Sequence, residues 1–309
     1  MLPIVLAYIT LYLVWGSTYF AIKAAVHTLH PGLVIGIRFF FGGLLLLGLG
    51  AALGRFRRRP SPVEWRTGLI LSVLLILGGN GLVTFAERKV DSYLAALLIA
   101  STPLYVALFN RFLLKIPLSG AGMIGILAGM GGVALILFDG QGLASSLTPH
   151  TLVILAAVAC WSLGTSLGRS MPAYPEVLVS SGLQSLLGGF LALSGYFIFH
   201  KGEWPDFSGV STASWLGLLY LTIPGTLAFF AYGYLITREP SSRVVSYALV
   251  NPAIAVLLGL SMGEKATPYL WFGLPLILLG VFLMLYGGAA ATWLMSRRRG
   301  GIPISVKRP

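Results

Sequence analysis

Aromatic, hydroxyl and amide side chains recur inside long apolar stretches of this chain. Trp15 is followed by Ser17 and Thr18, and Trp161 stands beside Ser162. In hydrocarbon, polar groups of this kind must find partners within the protein or on a bound solute. The hydroxyls serve either a helix carbonyl four residues earlier or a ligand, and the rings either pack in a core or stack on a ligand. We interpret Trp15, Ser17, Thr18 and Trp161 as candidate contacts for a small molecule.

Arg38 brings a charge into one of these stretches. It lies seven residues after Pro31, which is about 10 Å along a helix that rises roughly 1.5 Å per residue. A charge at such depth costs about 2.5–3.5 kcal/mol on insertion scales, so it must be paired or face water. Two roles fit equally: a salt bridge that fixes the helix bundle, or a counter-charge for a substrate carboxylate.

The sequence Gly-Gly-Asn-Gly at 78–81 places an amide in a further apolar stretch. Close packing between helices accounts for the glycines. It does not account for the amide, which needs hydrogen-bond partners in hydrocarbon. Asn80 is therefore another candidate substrate contact.

Pro103 and Pro252 stand at matching places in two similar segments. Each lacks a backbone N–H and so frees a carbonyl one helical turn earlier. A helix broken in this way beside a cavity recurs in transporters, and a simple kink is the alternative. Thr102 and Asn251 directly precede the two prolines, and Tyr247 lies one turn before Asn251 on the same helix face. All five residues are candidate site residues.

Groups needed for catalysis do not occur together in the sequence. An intramembrane enzyme requires a nucleophile with a base, a carboxylate pair or a metal cluster at one depth. Cys160 has no His or acid nearby in sequence, and no residues have the spacing of metal ligands. We therefore predict no enzymatic activity and no bound cofactor or metal.

Acidic residues avoid the middle of the apolar stretches. We interpret Glu87, Asp91 and Glu264 as loop charges at the outer face. Proton-coupled export of cations usually relies on a carboxylate buried in the membrane. The lack of an obvious one favours neutral or zwitterionic solutes, moved by facilitated diffusion or exchange.

Composition places the chain in a membrane. Only 10% of its 309 residues are charged and the mean hydropathy is +0.88, which leaves too little charge for a soluble surface. The net charge of +12 lies largely in short loops and the tail, so we expect no nucleic-acid partner. Apolar stretches of about 20 residues identify membrane spans. They predict ten transmembrane helices, at 4–24, 31–52, 65–86, 92–113, 120–138, 150–169, 176–199, 212–236, 242–263 and 268–288.

The basic residues also set the predicted topology. With the N-terminus inside, the inner loops and the tail hold about three times as many Lys and Arg residues as the outer loops. Both termini are therefore predicted to face the cytoplasm, in a multi-pass protein of the inner (plasma) membrane. The basic tail at 291–309 is interpreted as a surface segment that contacts anionic lipid.

The two halves of the chain resemble each other. With Pro103 aligned to Pro252, the segments that begin at Ser92 and Ser241 match for most of their length without a gap. We predict two repeats, 1–142 and 143–290, with five spans each. An odd number of spans makes the second repeat enter the membrane from the opposite side. Inverted repeats build secondary transporters, with the substrate site between the halves near the bilayer midplane.

These motifs, taken in order, resemble the EamA branch of the drug/metabolite transporter superfamily. The resemblance covers about residues 4–288 and is carried by Trp15-Gly16-Ser17-Thr18, Pro31 with Arg38, Ser101-Thr102-Pro103, Gly131-Gly132-Val133, Trp161-Ser162, Tyr247 with Asn251-Pro252, Gly263-Glu264 and Gly280-Val281. It implies an all-α integral membrane protein built as two inverted five-helix repeats. It also implies that the first, third and fourth helices of each half line a central cavity.

The resemblance further implies a function, because members are mostly exporters or exchangers of amino acids and other small metabolites. We expect alternating-access transport of a small molecule, with amino acids as the first choice, by a monomer embedded in lipid. A multidrug exporter and a flippase for lipid-linked substrates are the alternatives. One departure concerns gating: the family usually carries Glu at the end of the fourth helix in both halves, whereas this chain has Lys115 and Glu264.

Overall fold

The computed structural model describes residues 2–115, 120–136, 148–168, 170–239, 244, 247–261, 263 and 268–283. Helices and short connections make up this part of the chain. In order the helices are α1 (Leu2–Ala25), α2 (Pro31–Ala52), α3 (Pro62–Ala86), α4 (Ser92–Ile99), α5 (Thr102–Leu113), α6 (Gly120–Ile136), α7 (Pro149–Gly168), α8 (Val177–Phe199), α9 (Thr212–Thr222), α10 (Pro224–Ile236), α11 (Tyr247–Ser261) and α12 (Leu270–Leu283). The middle of α3, Ser72–Gly81, is a π-helix.

Seven helical segments in the described residues are long and apolar enough to cross a bilayer. They correspond to the first four predicted spans and to the sixth, seventh and eighth, and they confirm an all-α membrane protein. Two of these spans are broken, into α4 with α5 and into α9 with α10. The fifth, ninth and tenth predicted spans coincide with the shorter helices α6, α11 and α12, so the count of ten remains a prediction. Arg169, Glu264 and the tail at 291–309 lie outside the described residues.

Prolines and polar caps begin several of the helices. Pro31, Pro62 and Pro149 are the first residues of α2, α3 and α7, where a missing N–H removes no helix bond. At the start of α3, the Ser61 N–H donates to the Glu64 carboxylate at 2.7 Å, and the Glu64 N–H donates to the Ser61 hydroxyl at 3.4 Å. This reciprocal capping box fixes where the helix starts.

Helices α2 and α8 pack closely as an antiparallel pair. Glycines on each helix pack directly against residues of the other helix. The contacts are Gly36 with Leu193, Gly189 with Phe40, Gly43 with Leu186 and Gly182 with Leu47. Since the residue numbers fall along α8 as they rise along α2, the two helices run in opposite directions. They are the second helices of the two halves, so the halves are inverted relative to each other.

The first helix of each half packs into the other half. Helix α1 contacts α10 and α11, with Gly16 against Ile254. Helix α7 contacts α3 and α5, with Gly164 against Leu75. The exchange is symmetrical, because each first helix lies against the third and fourth helices of the opposite half. The two halves are therefore interlocked.

Large apolar side chains cover the outside of the bundle. Leu44, Leu45 and Leu49 on α2 are exposed, and so are Leu216 and Leu219 on α9. Soluble monomers rarely expose contiguous apolar surface of this extent. The described helices therefore present a surface suited to lipid.

Two side-chain clusters join loops at opposite ends of the α2–α8 pair. At one end, the His30 ring lies 5.1 Å from the Tyr196 ring and 4.9 Å from the His200 ring, measured between centroids. At the other end, the Tyr174 hydroxyl donates to the Arg58 carbonyl at 3.0 Å and accepts from the Arg58 N–H at 3.1 Å. Loops of the first half are thus attached to the second half at both ends.

We expect Gly189→Ala to destabilise the protein by about 1–3 kcal/mol, the usual range for an overpacked core. A Cβ at this position would overlap the backbone of Phe39 and Phe40 on α2. Gly195→Ala, on the same helix, is the matched control because nothing lies within 4 Å of its Cβ, and it should be neutral or stabilising. Unfolding in detergent measures both, and equal midpoints would contradict the packing argument.

Acid should weaken the His30 end of the pair. The Gly32 N–H donates to Nδ1 of His30 at 3.1 Å, so the neutral ring caps α2. Partial burial lowers the pKa of His30, and the nearby His200 and Arg88 lower it further. The unfolded chain, with a His pKa of about 6.5, then binds more protons than the folded chain, so stability falls as the pH drops below about 6.5.

His30→Asn should reduce this loss of stability in acid, because Asn keeps a capping acceptor but does not take up a proton. His27→Asn, in the same loop and exposed, is the control. The measurement is the unfolding midpoint across the pH range below neutrality. If His30→Asn and the wild type lose stability in parallel, His30 is not responsible.

Candidate functional site

A cavity lies between the two halves, and its empty space is about 630 Å³ when the part that opens to solvent is included. The first half contributes lining residues from α1, α2, α3, α4 and α5, and the second half contributes them from α7, α10 and α11. Apart from α2, these helices belong to the first, third and fourth spans of each half. The cavity therefore lies where the interlocked halves meet.

Three aromatic side chains, Trp15, Trp161 and Tyr247, form one wall of this cavity, and Tyr232 packs against all three. The Trp15 and Trp161 rings meet edge to face, with centroids 5.6 Å apart. Tyr232 and Tyr247 each lie 5.1 Å from Trp15. These separations are typical of favourable ring pairs. The two tryptophans, predicted from their matched positions in the repeat, bring α1 and α7 into contact beside the cavity.

The π-helical segment of α3 makes room for this contact. Gly79 lies against the Trp161 ring, and Gly78 lies against Cys160, so α7 approaches the α3 backbone closely. Asn80 follows and lines the cavity. Its side-chain amide donates to the Leu75 carbonyl at 3.0 Å. One irregular segment thus provides both the close packing and a polar lining residue, and π-helical turns often occur at functional sites.

Arg38 lines the cavity although its side chain is only 3% exposed. Its guanidinium carbon lies 4.7 Å from the centre of the Phe39 ring. Gly225 at the start of α10 lies beside the guanidinium, and a Cβ there would be in ordinary contact with Nη2, at 3.4 Å. Nη1 is buried and has no hydrogen-bond partner within the described structure. The lining therefore includes a cation with an unsatisfied N–H group.

The structure differs from the sequence interpretation at Glu87. This residue caps the C-terminal end of α3, but its side chain is 0% exposed and is not a surface loop charge. It lies within electrostatic range of Arg38 and Tyr19, which both line the cavity. Asp91 does lie in a loop, partly exposed and 3.6 Å from Lys23. The hydropathy pattern predicts that the span ends at Ala86, and it does not indicate that the Glu87 side chain is buried.

The predicted break at Pro103 is present. Helix α4 ends at Ile99, and α5 restarts at Thr102. Pro103 has no N–H for the Ile99 carbonyl, and the Thr102 hydroxyl donates to that carbonyl instead, at 2.6 Å. Thr102 lines the cavity, whereas Pro103 is buried beside it. The proline shapes the lining here without reaching the cavity.

Of the other predicted substrate contacts, some line the cavity and others only hold the helices around it together. Thr18 lines the cavity and donates its hydroxyl to the Trp15 carbonyl at 2.7 Å. Ser17 is not part of the lining; its hydroxyl lies 2.6 Å from that of Tyr220 on α9 and donates to helix carbonyls.

The predicted contacts in the ninth span, which is α11, also differ in whether they line the cavity. Tyr247 lines the cavity, but Asn251 does not, and its side-chain nitrogen is placed to donate to the carbonyls of Tyr247 at 3.3 Å and Tyr12 at 3.2 Å. Asn251 therefore joins α11 to α1. Pro252 is buried within α11, which continues through it without a break.

Sequence reasoning missed Tyr19, Phe229 and Glu87. Tyr19 had a signal, because it lies one helical turn after Trp15 on the same face. Glu87 had a weaker one: a buried Arg38 requires a nearby anion, and Glu87 directly follows the end of a span. Phe229 lies among other apolar residues of α10, and its sequence context does not distinguish it.

Known proteins resemble this chain in each of its two halves. The EamA-like transporter family matches residues 2–138 and again residues 149–286. The chain belongs to this family. The inner membrane transporter YedA of Escherichia coli is 32% identical to this EamA-like transporter over 294 residues, which cover 93% of this chain and 92% of YedA.

Two further likenesses extend over nearly the whole length. The transporter YoaV of Bacillus subtilis is 24% identical over 290 residues, covering 92% of this chain and 97% of its own. A protein of known crystal structure shares 25% identity and superposes with a TM-score of 0.61, covering 95% of this chain and 97% of its own. This EamA-like transporter is thus a multi-pass inner membrane protein that transports a small molecule and is not an enzyme.

We expect Trp15 and Trp161 to stabilise the fold jointly. Trp15→Leu, Trp161→Leu and the double variant should reveal a coupling of about 0.5–1.5 kcal/mol between the two rings. Unfolding of the four proteins in detergent gives this coupling. The control pair is Trp15 with Trp65, an exposed ring on α3, whose losses should be additive. Additive losses for Trp15 and Trp161 would show that their contact contributes nothing specific.

Proposed function

We propose that this EamA-like transporter carries small neutral or zwitterionic metabolites, amino acids first among them, across the inner membrane by export or exchange. The observation that supports this most is that the Arg38 guanidinium and a wall of aromatic rings share one cavity between the halves. The residues proposed to contact substrate directly are Trp15, Thr18, Arg38, Asn80, Thr102, Trp161 and Tyr247. Ser17, Pro103, Asn251 and Pro252 are proposed to support them.

An amino acid matches this cavity in charge. Its carboxylate would accept from Nη1 of Arg38, which is buried without a partner, and such charge-assisted bonds are among the strongest that proteins form. Its ammonium group would face the rings of Trp15 and Trp161, which attract cations.

Transport would proceed by rocking of the two repeats, 1–142 and 143–290, about the fixed site. We place both termini in the cytoplasm because the basic loops favour that side. The tail at 291–309 would lie on anionic lipid. A monomer suffices for this mechanism, since one chain supplies both walls of the cavity.

Export of multidrug or lipid-linked substrates is the second candidate. The aromatic wall favours it, because rings also bind apolar cations and large apolar groups. Such substrates would not need the Arg38 guanidinium, so the two candidates differ in their dependence on that residue.

Counterflow in proteoliposomes tests the proposal. Vesicles containing the purified protein are preloaded with single unlabelled amino acids, and uptake of the labelled forms is followed. Saturable uptake that depends on the preloaded amino acid would support the proposal and identify the substrate class. Absence of exchange across the panel, with protein shown to be folded, would favour the second candidate.

Arg38→Ala should abolish amino-acid counterflow, because it removes the cation proposed to hold the substrate carboxylate. The control is Arg111→Ala, which removes an exposed arginine at the end of α5. Size-exclusion profiles of both variants show whether they are folded. Normal counterflow by folded Arg38→Ala would exclude both of its proposed roles, as a structural ion-pair partner and as a substrate ligand.

A further inference from the structure

The lining of the cavity changes in character from one end to the other. On α1, Trp15 and Ile22 both line the cavity and lie seven residues apart, which is about 10 Å along the helix. At one end, the Trp15 ring meets the ring of Trp161. At the other end, Ile22 belongs to a buried aliphatic cluster together with Val83 on α3 and Ala157 on α7. The cavity therefore has an aromatic end and an aliphatic end.

The same change occurs along two other parts of the lining. On α3, Asn80 lines the cavity, and Val83 in the aliphatic cluster follows about one helical turn later. Where α4 meets α5, Thr102 lines the cavity, and Ile99 packs against the aliphatic cluster. Four lining residues, each from a different helix, thus make up the aliphatic end: Ile22, Val83, Ile99 and Ala157.

Several polar lining groups already form hydrogen bonds within the protein. Thr18 and Thr102 each donate the side-chain hydroxyl to the carbonyl three residues earlier, at 2.7 Å and 2.6 Å. The Asn80 side chain donates to the carbonyl five residues earlier, at 3.0 Å. Within the described structure, Nη1 of Arg38 has no such partner. A carboxylate therefore finds a donor at Arg38, whereas Thr18, Thr102 and Asn80 offer few donors to a second polar group.

The aliphatic end favours an apolar group in contact with it. Its four side chains carry no hydrogen-bonding group. The cluster behind them continues with further buried apolar residues, among them Ala21, Ala25, Leu218 and Leu221. Burial of each additional CH₂ in such surroundings strengthens binding by about fourfold. A hydroxyl or amide placed there loses its water without gaining a partner, which weakens binding.

We propose that the aliphatic end receives the side chain of the substrate, so that this carrier selects amino acids with aliphatic side chains, such as valine, leucine and isoleucine. The proposal rests on the proposed function and specifies the substrate class within it. There the carboxylate binds Arg38 and the ammonium group faces the rings of Trp15 and Trp161. The side chain is the part of the amino acid that remains, and the aliphatic end is the part of the lining that remains for it.

Pairs of amino acids with nearly equal shape test this selection. Valine is compared with threonine, and leucine with asparagine, by counterflow in proteoliposomes that are preloaded with the same unlabelled amino acid. The ratio of initial rates at low concentration measures the preference within each pair. We expect valine and leucine to be preferred by about 10- to 100-fold, because an apolar pocket rejects a polar analogue of the same shape to this extent.

A change in the size of the aliphatic end locates the side chain. Ile22→Ala enlarges it, so the uptake of phenylalanine relative to valine should rise by about tenfold. Leu218→Ala is the matched control: it makes a similar deletion in the same buried cluster, but Leu218 does not line the cavity, so the ratio should stay as in the wild type. Ile22→Val should shift the ratio in the same direction by about threefold, even if Ile22→Ala does not fold.

The outcomes distinguish this proposal from the proposed function. Exchange of amino acids without preference for valine over threonine and leucine over asparagine would overturn the selection and leave the proposed function intact. Equal ratios of phenylalanine to valine in the wild type and in the folded Ile22 variants would overturn the location of the side chain, as would equal shifts in Ile22→Ala and Leu218→Ala. Absence of exchange for every amino acid with folded wild-type protein would overturn the proposed function, and the selection with it.

Discussion

The close antiparallel contact between α2 and α8 determines where the site lies. On α2 the residues that face α8 are Gly36, Phe40, Gly43 and Leu47, which share one helix face at the spacing of three and four residues. Arg38 lies two positions from both Gly36 and Phe40, and therefore on the opposite face. Once the glycines allow the two helices to touch, the guanidinium must point towards the other helices of the bundle. There it lines the cavity beside Gly225.

Where the backbone around the cavity is irregular, nearby side chains donate hydrogen bonds to backbone carbonyls. Pro103 removes the donor that would bind the Ile99 carbonyl, and Thr102 supplies another. In the π-helical segment, the Asn80 side chain donates to the Leu75 carbonyl. In hydrocarbon, a freed backbone group is costly unless a partner is found, and irregular backbone is tolerated where it borders a cavity. The polar residues that line the site are thus also the ones that allow the helices to deviate there.

Much of the fold was predictable because membrane spans depend on local properties. Hydropathy identified the spans, and the matched prolines and tryptophans identified the two halves. Trp15 and Trp161 were proposed as site residues from their matched positions, but their mutual contact was not predicted. A symmetry axis relates equivalent residues without placing them next to each other. The roles of Ser17 and Asn251 were not predictable, because their partners, Tyr220 and Tyr12, are distant in sequence.

Burial of Glu87 illustrates the same limit. Whether a charge just beyond a span is solvated depends on which helices surround it, and this is decided by packing. The sequence placed Glu87 correctly at a helix end and gave the wrong environment for it.

The interlocking of the halves has a consequence for biosynthesis. Helix α1 is made long before its main partners, α9, α10 and α11, which begin at Thr212. While the ribosome synthesises the intervening chain, α1 is already in the bilayer and Gly16 still lacks its neighbour Ile254. Insertion of this helix and its association with partners are therefore separate events in time. A helix that leaves the ribosome before its partners thus reaches its final surroundings only after they have been made.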